Sequence, residues 1–208
     1  EYGNALQAAS SEGHQEIVQL LLDTGADVNA QGGEYGNTLY SASDRGHKEI
    51  VQLLLDTGAD VNAQGGRYGT ALQAASYRGH KDIVQLLLNK GADVNAQGGH
   101  YSTALQAASY RGHQDIMQLL LNKGADVNAQ GGHYSTALQA ASSEGHQEIV
   151  QLLLNKGADV NTQGGRLLLN KGADVNTQGG EYGNALQAAS YGGHQKIAQL
   201  LLAEVSNT

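Results

Sequence analysis

Residues 67–99 read RYGTALQAASYRGHKDIVQLLLNKGADVNAQGG, and how this stretch folds decides the architecture. Thr70 stands three residues before Gln73. That is the spacing of a capping box, in which the hydroxyl accepts from the N3 amide while the Gln side chain reaches back to the cap. A short helix of Leu and small Ala and Ser follows, and Gly79 supplies the left-handed conformation of a helix stop. A second helix comes next; its counterpart near the N-terminus is expected from about Gln15 to Asp23. It is apolar around much of its girth (Ile17, Val18, Leu20, Leu21, Leu22), which implies burial between neighbouring helices. Gly25 and its equivalents end this helix, often after a Lys that suits the negative helix end, and Asp27 to Gly33 read as a turn-rich hairpin or extended loop. One such helix pair cannot bury its own apolar face, so pairs must stack.

The phrase recurs. Glu1, Glu34, Arg67, His100 and His133 each open a unit of 33 residues, giving units 1–33, 34–66, 67–99, 100–132 and 133–165. A C-terminal unit spans 181–208. Between them lies a truncated unit, 166–180, in which Arg166 is followed directly by Leu167, the match of Leu20, so that all of the first helix and most of the second are missing. The expectation is that 181–208 docks onto 133–165 and that 166–180 leaves the stack as a loop, since loop closure of this size costs little more than for a shorter loop. The rival expectation is that it fills a layer. Thr103 with Gln106 and Thr136 with Gln139 repeat the box, and Asn4 and Asn184 are good caps. Tyr40 replaces the Gln in the second unit, where capping is expected to be weakest.

A unit of this length with Gly-His between two helices and then LLLxxGADVNA resembles the ankyrin repeat, over essentially the whole chain. The resemblance implies an all-α repeat fold, an ankyrin-repeat solenoid of stacked helix-turn-helix units with hairpin loops, forming a single domain over 1–208. The family's Thr-Pro-Leu-His opening stands here as Asn/Thr-Ala-Leu-Gln, so the Gln box is read as its substitute. The phrase QGGxYGNALQAAS is similar to ankyrin arrays in large fungal NOD-like proteins.

Composition narrows the function. The absence of Cys excludes a disulfide framework, a thiolate zinc site and a thiol nucleophile, and fits an intracellular, cytoplasmic location. Apolar runs of three or four residues are too short to span a membrane, and no signal peptide is visible. The chain opens mid-phrase at Glu1, which is read as a piece of something longer. The formal net charge is −8, and units 1–33 and 34–66 together carry all of it. That charge argues against nucleic acid as a partner.

Chemistry is sparse. His14, His47, His80, His113, His146 and His194 follow a glycine at one repeat position, about a layer apart, which suits a structural ladder better than one metal site. Asp27 and Asn29 with Gly32 and Gly33 lack the acidic ligands and closing Glu of a calcium loop. No phosphate-binding loop or nucleophile elbow is present, so neither catalysis nor a cofactor is expected.

Variation between near-identical units is more informative. By the resemblance, positions one, eleven and twelve lie on the hairpins and inner helices with which ankyrin proteins grip partners. They place Arg45, Arg67, Tyr77, Arg78, His100, Tyr110, Arg111 and His133 on a concave, basic and aromatic face. Tyr and Arg are enriched among interface hot spots. His100 and His133 are expected side by side near the tips, and the Tyr at position two (Tyr2, Tyr35, Tyr68, Tyr101, Tyr134, Tyr182) is expected to pack as a hairpin ladder. The function expected is a protein-protein interaction module with a partner of unknown identity. The alternative is a structural spacer, an autoinhibitory lid, or a segment that self-associates end to end through its uncapped N-terminal unit.

Overall fold

The structure is a computed structural model and describes residues 3–162 and 183–206. Twelve helices are formed among them: α1 (Ala5–Glu12), α2 (Gln15–Asp23), α3 (Thr38–Arg45), α4 (Lys48–Asp56), α5 (Ala71–Arg78), α6 (Lys81–Asn89), α7 (Ala104–Arg111), α8 (Gln114–Asn122), α9 (Ala137–Glu144), α10 (Gln147–Asn155), α11 (Ala185–Tyr191) and α12 (Gln195–Ser206). No strand forms among the described residues. The hairpin tips hold single antiparallel bridges, Gly32 to Gly36, Gly65 to Gly69, Gly98 to Ser102 and Gly131 to Ser135.

Caps and stops follow the local chemistry. Thr70, Thr103, Thr136 and Asn184 each close a capping box with the Gln three residues on. Asn4 accepts from the Gln7 amide, but Gln7 reaches one residue further back, to the amide of Gly3 at 2.9 Å. Gly79 ends α5 at φ 86°, a conformation that costs a residue with a Cβ. Its open surface is filled by the next unit, with the His113 ring lying where a Cβ would stand.

The odd-numbered helices pack extensively on one another from α1 to α11, whereas the even-numbered helices touch their neighbours only narrowly. Side-chain size explains the difference. Ala74, Ala75 and Ser76 of α5 let the inner helices approach closely, while Ile83, Val84 and Leu87 of α6 turn back onto the inner row and are buried. A stack closer on one side than on the other curves, with the odd helices on the inside. The core runs continuously through the described helix pairs along Leu39, Leu72, Leu105 and Leu138 and the isoleucines at 50, 83, 116, 149 and 197.

Three polar ladders tie each unit to the next. Carbonyls only accept, so the Nε2 of His47, His80, His113 and His146 carries the proton and donates to Ser11, Asp44, Tyr77 and Tyr110, respectively, at 3.0–3.2 Å. Asn29 donates to the Gly58 carbonyl at 3.1 Å and accepts from the Asp60 amide at 2.8 Å, and Asn62, Asn95 and Asn128 repeat the arrangement. Gln7, Gln73, Gln106 and Gln139 also span units. Gln106 Nε2 donates to the carbonyls of Ala129, Gly131 and Ser135 in the following hairpin.

The last helix pair joins the fifth unit through the same bonds. α11 packs on α9, His194 donates to the Ser143 carbonyl at 3.0 Å, and Gln139 donates to the Gly183 carbonyl at 2.7 Å. The His bond that elsewhere spans 36 residues here spans 51. The two expectations for 166–180, an outward loop or a filled layer, lie outside the described residues, as do Tyr2 and Tyr182 of the expected hairpin ladder.

Candidate functional site

The inner face of the third to fifth units is floored by tyrosine rings. Two rows interleave: Tyr35, Tyr68, Tyr101 and Tyr134 from the hairpin tips, and Tyr77 and Tyr110 from the ends of α5 and α7. Their room comes from Ala74 and Ala107, fully buried beneath the rings, where a larger side chain would lift them off the helices. Tyr68 stacks on Tyr77 with centroids 4.3 Å apart, Tyr77 lies 5.1 Å from Tyr101, and Tyr101 and Tyr134 each lie 5.0 Å from Tyr110. Such offset pairs contribute roughly 0.5–1.5 kcal/mol each beyond area burial.

The two rows sink to different depths. Tyr68 and Tyr101 are 6% and 5% exposed, while Tyr77 and Tyr110 are half-buried. Burial pushes the phenols of Tyr68 and Tyr101 up from the ordinary value, with repulsion from Tyr77 adding in both and Arg78 opposing it at Tyr68. These two buried phenols are therefore neutral at any physiological pH.

Cations line both edges of the floor. On the helix side, the Arg78 guanidinium lies 5.8 Å from the Tyr68 ring centre and 5.7 Å from that of Tyr77, and Arg111 lies 5.0 Å from Tyr77. On the hairpin side, Arg67 lies 5.9 Å from its neighbour Tyr68. His100 and His133 then continue this edge, stacked with centroids 5.0 Å apart and each set edge-on against the Tyr that follows it. The hairpin backbones hold this register, since the His100 amide donates to the Arg67 carbonyl and the His133 amide to that of His100, both at 3.0 Å. Cation–π contacts at exposed sites contribute about 0.5–1 kcal/mol.

The structure thus brings together seven of the eight residues that the sequence singled out. Arg45 lies at the second-unit end of the ring row, where it donates to the Tyr35 hydroxyl at 2.9 Å. Arg78 is also committed to a buried partner: Asp44, 4% exposed, accepts from its Nε at 2.8 Å and from its terminal nitrogen at 3.1 Å. That pair holds the Arg78 pKa above its ordinary value.

Residue-by-residue reading missed two features. Asp44 varies at position eleven like a surface residue but is a buried counter-ion. Tyr40 is fully buried too; its ring occupies the place a Cβ on Gly66 would need, and its hydroxyl accepts from the Tyr68 amide at 3.1 Å. Burial raises the Tyr40 pKa above the usual phenol range. The signal for both was present: each departs from the repeat in the unit just before the aromatic floor begins.

Among the described residues no cluster of His, Asp or Glu is arranged to hold a metal ion, and no helix is long and apolar enough to cross a membrane.

A family profile described as "Ankyrin repeats (3 copies)" matches over residues 1–65, 36–98 and 71–164. A segment of 28 residues is 79% identical to the azaphilone pigments biosynthesis cluster protein L of Monascus ruber, covering 14% of this chain and 6% of that protein's length. With the profile matched over most of its length, a stack of paired helices behind it and the Asn and His ladders joining its units, this chain belongs to the ankyrin-repeat family.

Proposed function

We propose that this chain binds a protein partner across the inner face of its third to fifth units, and that it does no chemistry of its own. Ankyrin repeats are generally protein–protein interaction modules. The observation that carries the finer reading is the tyrosine floor edged by Arg67, Arg111, His100 and His133. Its rings are fixed by stacking, so little side-chain freedom is lost on binding, which is where preorganised surfaces gain affinity. Affinity capture from a cell extract tests it, comparing the chain with an Arg67→Glu/Arg111→Glu variant. Both side chains are exposed, so circular dichroism should show both proteins equally helical. A partner held by the original and lost by the variant supports the reading; identical captures would refute it.

One observation favours a second role, end-to-end self-association. Ile17 and Leu20 are 48% and 62% exposed on the first unit's outer face, whereas Ile50, Ile83, Ile116 and Ile149 at the Ile17 position are 2% exposed. Leu202 and Val205 are exposed on α12 at the other end. Sedimentation velocity over a concentration series, with Ile17→Glu as control, separates self-stacking from a monomer that captures another protein.

A further inference from the structure

We infer that the inner face of the third to fifth units accepts an acidic peptide in extended conformation, with one side chain per unit drawn from every second residue. This rests on the inner face being the partner-binding surface.

Charge is segregated within these units. Residues 67–80 and 100–113, which form the hairpin edges and inner helices of the third and fourth units, contain Arg67, Arg78 and Arg111 but no Asp or Glu. The acids of the same units are employed elsewhere. Asp82 and Asp115 on the outer helices pair with Lys48 and Lys81 at 3.4 and 2.9 Å. Asp93 and Asp126 close turns by accepting from the amides of Asn95 and Asn128, both at 2.9 Å. Of the acids bordering the floor, Asp44 is buried under Arg78, while Glu144 ends the inner helix of the fifth unit and is exposed. A ligand lying on the rings therefore meets positive charge on both sides along the third and fourth units, and beside the fifth it is clear of an acid only along the hairpin edge.

Spacing selects the ligand's conformation. Equivalent rings repeat at 6.0 Å (Tyr68 to Tyr101), 6.2 Å (Tyr101 to Tyr134) and 6.3 Å (Tyr77 to Tyr110). An extended chain advances about 3.3 Å per residue, so two residues cover about 6.6 Å, nearly one unit. The strip is also narrow. Neighbouring rings of its two rows have centroids only 4.3–5.1 Å apart, with guanidinium groups within 5.9 Å of the rings, which suits a single strand better than a helix of about 10–12 Å diameter. Acidic side chains at alternate positions would reach Arg67, His100 and His133 along the hairpin edge, while the intervening side chains face Arg111 or the rings.

Length selects a peptide over a nucleic acid. Units 1–33 and 34–66 carry the whole net charge of −8, so a long polyanion continuing past the floor meets repulsion that a short peptide avoids.

Fluorescence anisotropy on the full chain tests this with three labelled probes. These are a six-residue peptide alternating Glu and Thr, a peptide of the same composition with all Glu in one block, and a thymidine decanucleotide. The alternating peptide should bind most tightly, weaken with added salt, and lose about tenfold or more in affinity to the Arg67→Glu/Arg111→Glu variant. Failure of the alternating peptide to bind, equal affinity for the variant, or tighter binding of the block peptide or the oligonucleotide would each overturn the inference. Should the variant lose a captured protein while no peptide binds, the inner face remains a partner site and only the acidic-strand reading falls. Loss of both results removes both.

Discussion

The second unit and the third share their helix pairs and turns, yet their inner faces are built differently. In the third, Gln73 lies in the cap and donates to the carbonyls of Ala96, Gly98 and Ser102, so a polar side chain joins it to the next hairpin. In the second, Tyr40 holds that position. It offers one acceptor, to the Tyr68 amide, and a ring wedged over Gly66 in place of a set of donors. Asn37 compensates in part, capping through the Tyr40 amide at 2.8 Å and donating to the Gln64 carbonyl at 3.3 Å. The substitution thus changes how the joint is made rather than leaving it bare. Its effect also passes forward, because Tyr40 and Asp44 support Tyr68 and Arg78, where the aromatic floor begins. A unit that displays little itself shapes what its neighbour displays.

That contrast can be broken by substitution, and the largest effect is expected at the wedge. Tyr40→Ala should cost about 3–5 kcal/mol, the range for emptying a buried aromatic site. Tyr40→Gln, which installs the third unit's solution, should recover about half of it; urea denaturation followed by circular dichroism reads both. No recovery would mean that ring packing over Gly66 outweighs carbonyl coordination. Next comes Gln106→Ala in the fourth unit, which strips three carbonyls and a cap amide of their donor or acceptor. A loss of about 2–3 kcal/mol is expected by the same measurement, and a loss below about 1 kcal/mol would show that water replaces the side chain.

The joint between the two units sharpens the comparison further. Arg78→Ala leaves the buried Asp44 carboxylate without its ion partner, whereas Asp44→Ala leaves a guanidinium that already reaches solvent. The first should cost about 1–2 kcal/mol and the second less, and the reverse order of denaturation midpoints would contradict the geometry.

The smallest effect is protonic. Burial, aided by repulsion from Arg111 and the neighbouring His146 and His80, lowers the His113 pKa against the opposing bond to the Tyr77 carbonyl. The folded state then favours the neutral ring, and the unfolded chain binds more protons as pH falls through about 6.5. This contribution to stability is therefore complete above that value and is lost progressively below it. Comparing thermal midpoints at about pH 8 and about pH 5 for the original and His113→Gln should show a smaller acid loss in the variant.

Much of this was legible in the sequence. Helix boundaries followed from Thr, Asn and Gly at fixed offsets, because capping is a matter of four or five neighbouring residues. The family followed from the period, and the eight candidate residues came from asking where near-identical units differ. Less legible was what each polar residue does between units. Gln106 reads as a cap from its neighbours alone, and its bond to Ser135, 29 residues away, exists only once the next hairpin is laid beside it. Tyr77 and Tyr110, read as partner contacts, are also structural members of the ring stack. The neighbours of a surface position in a stack come from the adjoining units, at separations no local pattern reports.

Taken alone, then, the sequence determined the repeat, the helices, their caps and stops, and the set of variable positions, since all of these depend on short-range backbone chemistry and on a period visible to the eye. Tertiary structure decided which tyrosines interleave into one floor, that Asp44 is a buried counter-ion while Arg67 and Arg111 face outward, and that His and Asn form ladders of bonds between units. These depend on how far one helix pair sits from the next, a distance set by packing small inner residues against one another.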